Sequence, residues 1–139
     1  MKLLILVLLF ISIFSYSDLE SLTRVVYCEG NGESDKSKLG IAYTVVNRSL
    51  LSGKSIAFEA TKKNQFCVYS GDMLDNDKLE KCQDAAKSAI NRSKMDPTSG
   101  ATYTFSGSIV PIWAKGRTPC AIIGSRKFYK HLGEYNSSI

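Results

Sequence analysis

The chain has 139 residues, a net charge of +5, four cysteines and a single histidine. That length fits one compact domain. The Lys and Arg residues form no run interleaved with aromatics, so no nucleic-acid groove is expected, and the lone His131 speaks against a His-rich metal centre. A mild excess of positive charge suits an anionic polymer, and it equally suits a solvated, lysine-rich surface.

The first segment, Met1 to Ser17, combines Lys2 with an apolar run from Leu3 to Phe14 and small residues at Ser15 and Ser17. This is the pattern of a secretory signal peptide cleaved before Asp18, and the run is well short of the roughly 20 residues that span a bilayer. Residues 18–139 are then the folded domain, expected to be secreted or periplasmic. No stable membrane insertion is expected after cleavage. An even number of cysteines behind an export signal reads as two disulfides among Cys28, Cys67, Cys82 and Cys120. Three pairings are open, and the expected one is Cys67–Cys82 with Cys28–Cys120.

Asp18 to Cys28 reads as a helix, with Leu22, Val25 and Val26 at helical spacing and Ser17 or Asp18 as its cap. Gly30 and Gly32 end it. Glu29 falls three and four residues after Val26 and Val25, so it continues the apolar stripe. Asp35 to Arg48 is a second helix capped by Ser34 or Asp35, and Ser52-Gly53 breaks the chain after it. Ile56 to Lys62 forms a short third helix. The stripe Leu79, Cys82, Ala86, Ala89 and Ile90 forms another, ending before Asp96-Pro97. Beyond that proline, Ala101–Phe105, Ile109–Trp113 and Ala121–Tyr129 are rich in β-branched and aromatic residues and predict a small antiparallel sheet. The class is α+β, mainly helical.

A carboxyl at the end of an apolar helix face is a candidate for acid–base chemistry, because burial disfavours the charged form and a glycosidic leaving oxygen needs a proton. Glu29 is that candidate, and a helix-end glutamate bonded to a backbone amide is the plainer alternative. Glu33, four residues on, is either its partner or an orienting residue. Asp96 looks first like a turn residue. Gln65 is able to bond an acetamido group, and Phe66, Tyr103 and Trp113 offer faces for sugar rings, or else pack in a core.

Five ordered pieces resemble the SleB/CwlJ-type cell-wall hydrolases. They are 22–33, with Glu29-Gly30-Asn31-Gly32-Glu33; 41–48, ending in Asn47-Arg48; Gln65-Phe66; Ala85-Ala86 followed by 96–103, with Asp96-Pro97-Thr98-Ser99-Gly100-Ala101; and Ile123-Gly124 with Phe128-Tyr129. Each piece alone is common; the ordered set is specific. The resemblance implies a single domain like lysozyme or a lytic transglycosylase, associated with the cell wall and acting on peptidoglycan glycan strands; a monomer without a cofactor is expected. It implies cleavage between N-acetylmuramic acid and N-acetylglucosamine. Glu29 would be the catalytic residue, with Glu33, Gln65, Phe66 and Tyr103 on the substrate. The chain departs from the family in its four cysteines and in having Ser125-Arg126-Lys127 where a histidine is often found. An amidase cutting the muramyl–peptide bond and a non-catalytic peptidoglycan-binding module are the competing expectations. A disulfide-stapled interaction protein would leave the ordered matches unexplained.

Overall fold

A computed structural model describes residues 18–73 and 76–130. The segment read as a signal peptide, His131 and the C-terminal residues lie outside that range. Helix α1 covers residues 18–29, and α2 (Asp35–Ser52), α3 (Ile56–Thr61) and α4 (Asn76–Asn91) follow. Strand β1 (Tyr103–Ser106), a 3-10 turn (Ile112–Ala114), β2 (Ala121–Ile123) and β3 (Arg126–Tyr129) complete the domain.

Local chemistry fixes the helix ends. The Ser34 hydroxyl accepts from Ser37 N at the start of α2, and Gly53, with φ of 71°, sends its N–H to Ser49 O at the other end. Ser55 caps α3 in the same way through Phe58 N. Asp18 is already inside α1; its carboxylate accepts from Ala57 N and so supports the start of α3.

Helix α2 is the centre of the domain. Its run Ile41 to Val46 is buried throughout, which no one-sided helix could show, because α1, α3 and α4 meet one side of it and the sheet the other. Leu22, Val25, Ile41, Val45, Cys82 and Ala86 are all fully buried in this helical core. The sheet is antiparallel with order β1-β3-β2, and Tyr103 pairs with Tyr129 while Ser106 pairs with Arg126. Phe128 and Arg126 are two apart on β3 and share one face. Phe128 packs over Gly40 so tightly that a Cβ there would stand 2.8 Å from its Cζ and 3.0 Å from Thr98 Cγ2. That glycine sets how closely sheet and helix approach.

Two expectations are corrected. Ile109–Trp113 is not a strand: Pro111 interrupts it, lacking the N–H a ladder requires, and starts the 3-10 turn instead. Ile109 and Ile112 remain exposed, while Trp113 turns back onto Tyr103, Phe105 and Tyr129. The disulfide is Cys28–Cys67, with a Cα–Cα separation of 5.6 Å, and neither expected pair forms. Cys82 is a free thiol sealed in the helical core. Cys120 is a free thiol beside the sheet, where its Sγ donates to Thr98 O at 3.1 Å. Each belongs to a different hydrophobic cluster, and burial pushes both thiols up from their usual range.

Two outcomes follow from this packing. Gly40→Ala drives a methyl into a rigid ring and is expected to cost about 1–3 kcal/mol of unfolding free energy, measured by urea titration. Alkylation of denatured, unreduced protein is expected to label Cys82 and Cys120 alone, with Cys28 and Cys67 joining them after reduction.

Candidate active site

A buried arginine gathers the two glutamates of the opening motif. Arg126 is 1% exposed, yet it carries a full charge that has to be matched. Its Nε and Nη2 donate to Glu33 Oε1 and Oε2 at 2.8 and 2.9 Å, a two-pronged pairing. Nη2 also reaches the Glu29 carbonyl at 3.0 Å and Glu29 Oε2 at 3.4 Å. Ser106 Oγ and Thr104 Oγ1 on β1 take the remaining contacts, each at 3.3 Å.

The two carboxylates stand in different situations. Both oxygens of Glu33 are occupied by Arg126, and Ser37 Oγ donates to Oε1 as well. Burial alone would push the Glu33 carboxyl up. The hydrogen bonds from Arg126 and Ser37, with the charges of Arg126 and Lys38, outweigh it and hold the group below its usual range. Glu29 ends α1 with its side chain 23% exposed. Its Oε1 accepts from Cys67 N at 2.7 Å, and its Oε2 has only the long contact to Arg126 among the bonds described. Of the pair, Glu29 is the one able to turn an oxygen toward a ligand.

A second cluster forms around Arg48 near the end of α2. Its guanidinium lies over the rings of both Phe66 and Tyr103, 4.8 and 4.4 Å from their centroids. Its Nη1 donates to Gln65 Oε1 at 2.6 Å and its Nε to Thr102 O at 2.5 Å. Burial pushes this guanidinium below its ordinary value, against smaller opposing pulls from Tyr103 and Glu59. Three of the side chains expected on the substrate are therefore brought together, each partly committed to Arg48. Gln65 keeps its amide nitrogen to offer, while Phe66 also packs against the helical core and Tyr103 against Trp113. Gln65, Phe66 and Cys67 are consecutive, so this cluster connects directly to Glu29.

Asp96 is a structural residue. Its Oδ1 accepts from Thr98 N and Thr98 Oγ1, and its Oδ2 accepts from Gly100 N and Asn47 Nδ2. This closed turn carries the chain from α4 into β1. Trp113 extends Tyr103 into an aromatic cluster through a ring contact of 5.3 Å. Arg126 and Arg48 are the site residues that reading by residue type missed. Their signals were present: a charge in a strand of buried character, and an arginine closing a helix next to Asn47. Among the described residues no group of three His, Cys, Asp or Glu side chains is placed to hold a metal ion.

A family model described as Cell Wall Hydrolase matches residues 32–129. The match takes in Glu33, Gln65, Phe66, Tyr103 and Arg126, and begins just after Glu29. Among solved structures, the catalytic domain of the Bacillus cereus SleB protein superposes with a TM-score of 0.68 at 22% identity, covering 83% of this chain and 91% of that one. At that identity the likeness shows the fold, and it matches the mainly helical architecture with a small sheet. No curated protein sequence matches the chain.

Removing the Glu33 charge leaves Arg126 buried with less compensation. Glu33→Gln is expected to lose about 3 kcal/mol of unfolding free energy at neutral pH. A carboxyl held below its usual value stabilises the fold above about pH 4.5 and loses that contribution as pH falls through its folded-state value. The gap between wild type and variant should therefore close on acidification, as read from urea midpoints at several pH values.

Proposed function

We propose, since this chain belongs to the cell wall hydrolase family, that it cleaves peptidoglycan glycan strands between N-acetylmuramic acid and N-acetylglucosamine as a lytic transglycosylase with Glu29 as its single acid and base. The observation that carries this reading is the unequal division of Arg126. Glu33 gives both oxygens to the guanidinium, while Glu29 is partly exposed with one oxygen barely engaged.

In this mechanism the protonated Glu29 carboxyl gives its proton to the bridging glycosidic oxygen as the bond to the muramyl C1 breaks. The resulting carboxylate then takes the proton of the muramyl 6-hydroxyl. That oxygen bonds to C1 and closes a 1,6-anhydro ring, so the proton returns to Glu29 and no water is consumed. Arg126 and Cys67 N hold the carboxyl in place, and Glu33 keeps Arg126 neutralised without touching the sugar. The Gln65 amide nitrogen bonds an acetamido oxygen, and the Phe66 and Tyr103 rings border the sugar. Export through the segment 1–17 would bring the domain to the wall.

Digestion of isolated sacculi followed by mass spectrometry tests this. Wild type is expected to release anhydro-muropeptides, and Glu29→Gln to release about a thousandfold less, within the range for loss of a general acid–base group. Reducing muropeptides would instead mean a hydrolytic muramidase, and free stem peptides an amidase. No release would leave a binding module. Full activity of Glu29→Gln would remove Glu29 from the chemistry.

A further inference from the structure

We infer that the Cys28–Cys67 disulfide is a positioning device for Glu29, so that turnover requires the oxidised protein. This rests on the acid–base role proposed for Glu29. Both half-cystines adjoin Glu29. Cys28 precedes Glu29 in α1, and the Cys67 amide donates to Glu29 Oε1 at 2.7 Å. Carboxyl, amide, disulfide and the end of the helix thus form one closed loop of covalent and hydrogen bonds.

The ties on either side of Cys67 do not replace this bond. Gln65 is held by Arg48, and Tyr69 is held by Arg24, whose carbonyl accepts from Tyr69 N at 3.2 Å and whose Nη1 donates to Tyr69 O at 2.8 Å. Those anchors keep the segment against the domain when the sulfurs part. The register of the Cys67 amide against the carboxyl then depends on the chain between them. Errors of about 1 Å at a reacting group are enough to cost orders of magnitude in rate. Cys67 is solvent-exposed, so a reagent reaches the bond, whereas Cys82 and Cys120 pack elsewhere.

The chemistry is a simple exchange. A dithiol gives two electrons and two protons to the Sγ–Sγ bond, leaving two protein thiols and its own disulfide. Formation in an oxidising compartment is the reverse, with a protein disulfide as acceptor. A copy retained among reducing thiols would therefore be quiet toward glycan strands, and would become active once oxidised.

Steady-state kinetics on soluble glycan-strand fragments, with and without dithiothreitol, test the inference. They are run at a temperature where circular dichroism finds the reduced protein folded. Reduction is expected to lower kcat at least about tenfold and to leave KM within about twofold, with full recovery after the reductant is removed and the bond re-forms. The double variant Cys82→Ala/Cys120→Ser should respond in the same way. Cys28→Ala/Cys67→Ala should be slow and indifferent to dithiothreitol. Folded, reduced protein with the kcat of the oxidised form would overturn the inference, as would activity lost only in step with the folded fraction. Glu29→Gln keeps the two readings apart. If it is as active as wild type, the role of Glu29 fails; if it is inactive while reduced wild type keeps its kcat, the positioning role alone fails.

Discussion

A guanidinium with 1% exposure has to be answered by its surroundings, and in this domain the answer organises everything near it. Arg126 draws in the end of α1 through the Glu29 carbonyl, the turn before α2 through Glu33, and β1 through Thr104 and Ser106. Few residues could do this. Lysine offers a single point charge, whereas the planar fork serves a carboxylate with two parallel bonds and still reaches other acceptors. The sheet is short and would add little by itself. It is fastened to the helices at one end by this charge and further along the same strand by Phe128 against Gly40.

The site is a continuous strip. From Arg48, the chain segment Gln65-Phe66-Cys67 runs to Glu29, with a side chain or amide committed at each step. Such a strip couples helix α2 to the end of α1 without passing through the hydrophobic core. The polar groups along it are satisfied mainly by charged partners, which give shorter and stronger bonds than neutral ones. The same geometry treats the two glutamates differently: Glu33 is fully paired, and Glu29 is left partly open.

Much of this was legible from residue order. The four helices followed from apolar spacing and from caps at Ser34 and Gly53, because those signals act within a few residues. Ala121–Tyr129 read as strand, and Gly124, with φ of 60°, splits it into a hairpin. The failures have a common cause. Pairing Cys28 with Cys67 depends on where the segment after α3 lies against α1, and no local spacing encodes that. The apolar character of Ile109 to Trp113 suggested a strand, but Pro111 and the aromatic cluster around Trp113 overrode it. The sequence offers Gln65, Phe66 and Tyr103 in combination as contacts for a sugar, without a group that joins them. That they share Arg48 depends on tertiary packing, although Asn47-Arg48 was visible as a motif.

The cluster of Phe66, Arg48 and Tyr103 has a thermodynamic meaning of its own. An aromatic ring on a surface samples several rotamers, and a ligand that packs against it must first still that motion, at about 0.5–1.5 kcal/mol for each side chain immobilised. Here both rings are already in contact with the Arg48 cation, and Tyr103 also packs against Trp113. The ordering has been done during folding, where the burial of α2 and the sheet supports it. Any flat ligand that packed against these rings would meet side chains whose rotamers are already fixed, so more of its contact energy would go to holding it in register.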